Sequence, residues 1–274
     1  MLVATVLALA SAGLHAGWNL VAKRSVDRFP ALWGQFVVAG IFGAIAIAVT
    51  RDLPAEAWVW AAITGTVHVP YIVALASAYD RGDFSLAYPV ARGGGALLAG
   101  IGGIVLLDDE LSVLGVIAIA TVTAGMVLLS IGAELAQVLT ALVVAAMIGI
   151  YTTVDSHAAR DVGGNTYVFA VFASCAVMVS IYGVAAGKGP ALRRSLAGSW
   201  RMYLLTGAVS LAAYGLVMIA VRRAPVGYVA ALRESSVLVA AFIGWKYLDE
   251  GSAHRRLIAA GVVVAGLVLL VLAR

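Results

Sequence analysis

Long apolar runs are the feature of this sequence that most constrains its fold. Stretches of about 18 apolar residues or more recur along the chain, and each is long enough for the roughly 30 Å hydrocarbon core of a bilayer. Lipid offers the backbone no hydrogen bonds, so only helices and closed β-barrels can span it. Barrel strands alternate apolar and polar residues, and these runs do not. The sequence therefore predicts an all-α polytopic membrane protein.

The composition agrees with this prediction and excludes several classes of function. Of the 274 residues, 63% are hydrophobic and 12% are charged, against about 25% charged in soluble domains. The basic residues that give the net charge of +4 lie in short segments between apolar runs, which is typical of membrane topology and not of nucleic-acid binding. The single cysteine, Cys175, cannot form an internal disulfide. We expect no cofactor and no metal.

Turn residues and charges divide the apolar sequence into ten predicted spans. Breaks fall at segments such as Asp52-Leu53-Pro54, Arg81-Gly82-Asp83 and Asp108-Asp109-Glu110. The predicted spans cover residues 2–22, 30–49, 57–79, 85–107, 113–131, 135–158, 166–186, 202–221, 226–248 and 257–273. No segment between them is long enough for a separate soluble domain.

An internal repeat divides these spans into two halves. A shift of 141 residues places Arg92 on Arg233, and it also places Asp108-Asp109 on Asp249-Glu250. We therefore predict five-helix repeats over residues 1–132 and 133–274. Five is an odd number, so two tandem copies must lie in the membrane with opposite orientations. This inverted-repeat plan is common among secondary transporters.

Two motifs in the first half resemble a known family. The segment from His15 to Lys23 (HAGWNLVAK) and the segment from Gly82 to Gly93 (GDFSLAYPVARG) are similar to the first and fourth helices of EamA-type members of the drug/metabolite transporter superfamily. The segments around Asp155 and Arg233 resemble the corresponding helices of the second half. The resemblance implies ten helices around a substrate cavity that opens alternately to each side. It leaves open whether the substrate is amino-acid-like, drug-like or another metabolite.

Ionisable residues within the spans are the main candidates for a functional site. Arg92, Asp155, Arg233 and Glu234 lie well inside predicted spans, where each would cost about 2.5–3.5 kcal/mol if unpaired. Two are positive and two are negative, so they can neutralise one another or meet a substrate or water in a cavity. The alternative is that they are interior ion pairs that only hold helices together.

A polar stripe recurs at equivalent places in the two halves. His15 and Asn19 are four residues apart and share one helix face, and Tyr151 and Asp155 repeat this spacing. Tyr71 follows Pro70, which can kink the third span. The predicted substrate-binding residues are His15, Asn19, Tyr71, Arg92, Tyr151, Asp155, Arg233 and Glu234. The candidates for proton coupling are Asp155, Glu234 and His15.

These features favour a secondary transporter of a small polar or amphipathic solute in the cell membrane, acting as a monomer or a homodimer, with H⁺ as the candidate coupling ion. No phosphate-binding loop is present, so we expect a gradient and not ATP to drive it. One alternative is a non-transporting scaffold or sensor subunit. Another is a membrane enzyme acting on lipid-linked substrates, although the histidines (His15, His68, His157 and His254) lack metal-ligand spacing. We expect no enzymatic activity.

The distribution of basic residues predicts an orientation. Eleven of the 18 Lys and Arg residues fall in connections after odd-numbered spans, five lie in the other connections or at the C-terminus, and Arg92 and Arg233 lie within spans. By the positive-inside rule both termini would be outside the cell. The family resemblance instead implies that both are cytoplasmic. Ser195 is expected in the loop between the seventh and eighth spans, where labelling would distinguish the two orientations.

Overall fold

The structure is a computed structural model that describes residues 1–25, 27–81, 84–131, 134–162, 166–236 and 253–273. These residues form helices joined by short connections, and no strand occurs among them. The helices are α1 (Leu2–Arg24), α2 (Arg28–Thr50), α3 (Ala55–Arg81), α4 (Phe84–Leu106), α5 (Val113–Ser130), α6 (Leu135–Asp161), α7 (Tyr167–Ala185), α8 (Gly189–Val221), α9 (Val226–Arg233) and α10 (Ala253–Leu272). Residues 237–248 of the ninth predicted span lie outside the described residues, as do Gly82, Asp83, Asp249 and Glu250.

Six of the described helices are long and apolar enough to cross a bilayer: α1, α2, α3, α6, α7 and α8. Shorter apolar segments occur in the other helices, at Val90–Leu106, Val113–Leu128 and Gly261–Leu272. The prediction of an all-α polytopic membrane protein is therefore confirmed. The count of ten spans and their inverted arrangement stay predictions.

Helix α8 begins well before the predicted span. It starts at Gly189 and not at residue 202, so the prediction that Ser195 lies in a loop is wrong. Pro190 stands in the first turn, where its fixed φ favours a helix start and its missing N–H costs nothing. At 33 residues the helix is about 50 Å long, so its first turns extend beyond the hydrocarbon core. Sequence hydropathy misses these turns because Arg193 and Arg194 are exposed and charged.

Several of the main contacts between helices correspond when the two halves of the chain are exchanged. Helix α3 contacts α6 and α7, and α8 makes the equivalent contacts with α1 and α2; α4 contacts α6 as α9 contacts α1. The contact between α5 and α10 shows the relation in detail. Gly125 faces Val263, and Gly266 faces Val122. The two glycines are 141 residues apart in the sequence, and so are the two valines.

Close packing around α4 depends on its glycine run. A Cβ atom on Gly93 would lie 2.7 Å from the sulfur of Met126 in α5, and one on Gly95 would lie 2.5 Å from Ile148 Cγ2 in α6. Larger residues would push these neighbours away. The run is helical and gives α4 a flat surface against both helices, which fixes the position of Arg92 beside it.

The connections after even-numbered helices meet at one end of the bundle, which we call the even end. The Thr166 hydroxyl, before α7, donates to the carbonyl oxygen of Asp52, after α2. The Asp109 carboxylate, after α4, accepts a hydrogen bond from the Val226 amide at 2.7 Å and pairs with Arg160 near the end of α6 at 2.8 Å. The connection between α7 and α8 lies at the opposite end, since α7 starts at the even end.

Cysteine labelling in intact cells tests the orientation. Ala186, just after α7, is exposed at one end, and Asp52 is exposed at the even end. The native Cys175 is fully buried and should stay unlabelled. The basic-residue count predicts that an impermeant maleimide labels Asp52→Cys in intact cells and Ala186→Cys only after lysis. The reverse result would contradict the count and support cytoplasmic termini.

Candidate functional site

A central cavity lies between α1, α2, α3, α6, α7, α8 and α9, so both halves of the chain line it. Its volume is about 40 Å³, enough for about three water molecules. The walls are largely aromatic, formed by Trp18, Phe36, Tyr71, Tyr151, Phe172 and Tyr214. Polar side chains also reach it, from His15, His68, Ser210 and Arg233. This mixture of apolar walls and a few polar groups is typical of small-molecule sites.

The aromatic walls are tightly packed against one another. The rings of His68 and Tyr151 lie 4.5 Å apart, and those of Tyr71 and Tyr151 lie 5.6 Å apart in an edge-to-face arrangement. His15 and Trp18 form a similar contact at 4.8 Å within α1. Such contacts hold the ring orientations, so any larger occupant must displace several rings or move the helices that carry them.

Arg92 and Glu234 form an ion pair behind the cavity. Arg92 Nη2 lies 2.6 Å from Glu234 Oε1, and its Nε lies 3.2 Å from Oε2, so the pair is bidentate. The side chains are 4% and 2% exposed. The pair joins α4 of the first half to the end of α9 in the second. Two parallel charge-assisted hydrogen bonds offset much of the cost of burying both charges.

The charge of Asp155 is stabilised in a different way, by hydrogen bonds from hydroxyl groups. Its side chain is fully buried on α6, and its carboxylate accepts hydrogen bonds from Thr64 of α3, Tyr167 of α7 and Tyr214 of α8. The Tyr167 hydroxyl lies 2.6 Å from Oδ1. Among the described residues, no arginine, lysine or histidine forms an ion pair with Asp155. The four buried ionisable residues therefore do not form the single balanced cluster that their charges allowed.

Arg233 remains with a donor that is not satisfied. Its side chain lines the central cavity and is 4% exposed, and its Nε has no hydrogen-bond partner within the described part of the chain. The same holds for the indole Nε1 of Trp18, which is 5% exposed in the same cavity. Buried donors are nearly always paired in proteins. Arg233 and Trp18 thus bring two buried, unsatisfied donors to residues that line the same cavity.

Comparison with known proteins identifies the family. The sequence model of the EamA-like transporter family matches residues 135–272, just over half of the chain. The chain belongs to the EamA-like transporter family. This family is part of the drug/metabolite transporter superfamily, so the resemblance seen in the motifs is confirmed. EamA members are membrane transporters and not enzymes, and the family implies a small-molecule substrate and a multi-pass membrane setting.

Solved structures share the EamA-like fold. Among 28 similar chains is one described as "Crystal structure of protein", which is 18% identical to this chain. The similarity covers 99% of this chain and 98% of that one, with a TM-score of 0.73. At this identity the likeness shows the fold alone. No curated protein matches the sequence.

The structure places the eight predicted site residues of this EamA-like transporter in two settings. Those that line the cavity are His15, Tyr71, Tyr151 and Arg233. Those that lie behind its walls are Asn19, Arg92, Asp155 and Glu234, all of them buried. Asn19 donates a hydrogen bond to the carbonyl oxygen of His15 at 2.9 Å, so it supports the α1 face that carries His15.

Three residues outside the predicted set lie at this site. Trp18 lines the cavity, Tyr214 both lines the cavity and binds Asp155, and Tyr167 binds Asp155 from α7. The sequence favoured Trp18 as the tryptophan that faces a cavity and Tyr214 as a hydrogen-bonded wall residue, whereas Tyr167 was not identified. A tyrosine inside an apolar span needs a partner for its hydroxyl, and a buried carboxylate needs donors, so this pairing was a usable signal.

Proposed function

We propose that this protein is a secondary active transporter that moves a small solute with an anionic group and an apolar body across the cell membrane. The observation that carries the proposal is Arg233, which lines an aromatic cavity and whose buried Nε has no hydrogen-bond partner among the described residues. A carboxylate at this position would receive a charge-assisted hydrogen bond. The Trp18 indole N–H supplies a second donor from α1.

The two arginines have different roles in this proposal. They occupy equivalent positions of the two halves, and the sequence suggested that both hold the substrate anion. Arg92 is engaged by Glu234, whereas Arg233 faces the cavity. We therefore assign the anion to Arg233 and assign Arg92 to positioning the end of α9, where Glu234 follows Arg233 directly.

Alternating access is supported by the symmetric packing. We propose two inverted five-helix repeats, residues 1–132 and 133–274, because several main contacts of the described helices correspond when the halves are exchanged. The cavity lies between these halves, as expected for a site on a repeat axis. Its volume of about 40 Å³ is far below the ~300 Å³ or more of typical ligand sites. The halves must therefore move apart to admit a solute.

We propose that a proton gradient supplies the energy for transport. Of the three candidates, His15 lines the cavity, Glu234 is paired with Arg92, and Asp155 is bound to hydroxyl groups only. Asp155 is therefore the carboxylate whose charge no arginine balances. Its connection to the cavity through Tyr214 makes it the best placed to exchange a proton in step with solute binding.

Flux in proteoliposomes tests the proposed function. The purified protein should move at least one member of a panel of radiolabelled aromatic and aliphatic carboxylates under an imposed pH gradient. Arg233→Gln should reduce that flux about 10- to 100-fold, because it removes a hydrogen bond from a charged donor. Arg194→Gln, on the exposed first turns of α8, is the matched control and should transport normally. A wild-type protein that moves no carboxylate, or an unaffected Arg233→Gln, would contradict the proposal.

A further inference from the structure

Asp155 is the meeting point of four helices and lies between two cavities. Its three hydroxyl partners come from α3, α7 and α8. Tyr214 is shared, because its ring lines the central cavity and its hydroxyl binds Asp155. Asp155 itself does not line that cavity. The tyrosine is therefore the link between the carboxylate and the cavity.

Tyr167 provides a second link in the opposite direction. It lines a groove of about 340 Å³ between α7 and α8 that extends to Arg222, just after the last turn of α8. It is also the first residue of α7, next to Thr166 at the even end. Asp155 lies six residues before the end of α6 at Asp161, a distance of about 9 Å along the helix. The carboxylate is thus buried but close to one membrane surface.

We propose that Asp155 is a proton-binding site that exchanges protons with the central cavity through Tyr214 and with the even end through Tyr167. This inference rests on the proposed transport function and assigns its proton to one residue and two routes. Two hydroxyls on opposite sides of one carboxylate allow loading from one side and release to the other. In such a site the group that binds the proton is separate from the group that binds the solute.

The proton transfer is balanced at each step. Tyr214 gives its hydroxyl proton to Asp155 Oδ2 and takes one from a hydronium ion in the cavity, which becomes water, so the carboxylate becomes a carboxylic acid and the tyrosine is unchanged. For release, the acid gives its proton to the Tyr167 oxygen, and Tyr167 passes its own proton to water at the even end. The carboxylate is restored. One proton crosses, and no other group changes its charge.

The groups around Asp155 allow its hydroxyl partners to respond when Asp155 gains or loses a proton. Buried titratable or charged side chains on the surrounding elements include His68 and Tyr71 on α3, Arg92 on α4, Tyr151 on α6, Tyr167 and Cys175 on α7, Tyr214 on α8, and Arg233 with Glu234 on and after α9. None of the cations among them bonds to Asp155. A change of charge on Asp155 is therefore met by its three hydroxyl groups, which can turn.

This turning couples the proton to the solute. With Asp155 ionised, the Tyr214 hydroxyl donates to the carboxylate and is not available to the cavity. With Asp155 protonated, the carboxylic acid can donate to Tyr214 instead, and the tyrosine hydroxyl can then turn toward a bound solute. Tyr214 faces the same cavity as Arg233. The solute and the proton would then be coupled through one hydroxyl without competing for one carboxylate.

Infrared spectroscopy of the full-length protein in phosphatidylcholine bilayers tests the site with the proton as the only probe. The difference between acidic and neutral buffers should contain the carbonyl band of a carboxylic acid, and Asp155→Asn should remove that band. On exchange from H₂O to D₂O, Tyr167→Phe and Tyr214→Phe each leave one route open, so each should slow the isotope shift of the band only modestly. The variant lacking both hydroxyls should slow it about tenfold or more, because both positioned proton donors are lost.

Controls separate this inference from a structural role and from the proposed function. Tyr182→Phe, whose ring packs on Phe29, should exchange at the wild-type rate. If Asp155→Asn leaves every carboxylic-acid band in place, or the variant lacking both tyrosine hydroxyls exchanges as fast as the wild type, the inference is wrong. The spectrum needs no solute, so failure of this test and failure of carboxylate flux are separate results.

Discussion

Arg92→Ala is expected to lower the free energy of unfolding by about 3–5 kcal/mol, because it leaves Glu234 buried without its cation. The pair is bidentate, and both side chains are almost completely excluded from solvent. The single cysteine supplies the measurement. Cys175 is fully buried in α7, so a thiol-reactive fluorophore reports its exposure when the detergent-solubilised protein is heated.

The matched control removes both charges together. Arg92→Met combined with Glu234→Met should be closer to wild-type stability than Arg92→Ala, since it leaves no unpaired charge. The double variant also separates stability from function. If Arg92 only positions α9, the double variant should retain solute binding at Arg233. A double variant as unstable as Arg92→Ala would show that the pair contributes through specific geometry and not through charge balance.

Asp155→Asn is expected to abolish net transport while the protein still folds and inserts. The amide has nearly the same shape as the carboxylate and can still accept hydrogen bonds, but it cannot bind and release a proton. Flux driven by a pH gradient in proteoliposomes should fall to the level of protein-free liposomes. Thermal exposure of Cys175 should show a cooperative transition, which establishes that the variant is folded.

Asp161→Asn is the control for this experiment. Asp161 ends the same helix, but its side chain is 60% exposed and pairs with His157 near the membrane surface. An ion pair at such a surface position contributes little to stability, so this variant should transport like the wild type. Normal flux in Asp155→Asn would remove Asp155 from the mechanism. It would also remove the proton routes through Tyr214 and Tyr167 from the transport cycle.

The sequence alone was sufficient for the fold class and for most helix boundaries. Lipid imposes a length and an apolar composition on every span, so the starts of α1, α5, α6 and α9 agree with the predicted spans. The start of α8 did not, because turns outside the hydrocarbon core need no apolar residues and carry no hydropathy signal. Family membership was also available from sequence, in the motifs of the first and fourth predicted spans.

The cost of placing a charge inside a membrane span identified the important side chains from the sequence, but it did not identify their partners. A charge inside a span is costly, so Arg92, Asp155, Arg233 and Glu234 could be identified from the sequence. Arg92 and Arg233 hold equivalent positions of the predicted repeat, and their neighbours in the sequence do not distinguish them. Only the tertiary structure shows that Glu234, which directly follows Arg233 in the chain, pairs with Arg92 across 142 positions. Adjacent residues on a helix point in different directions, so the packing decides which one faces a partner.

Asp155 shows the same division between the sequence and the fold. As a carboxylate inside an apolar span, it needs groups that stabilise its charge. Whether an arginine or a set of hydroxyls does so depends on the rotation and depth of α3, α7 and α8 around α6, and these are set by contacts between distant segments. Tyr167 and Tyr214 are 12 and 59 positions away from it. Local sequence determines which groups need partners, and only the packing of the helices decides which partners they meet.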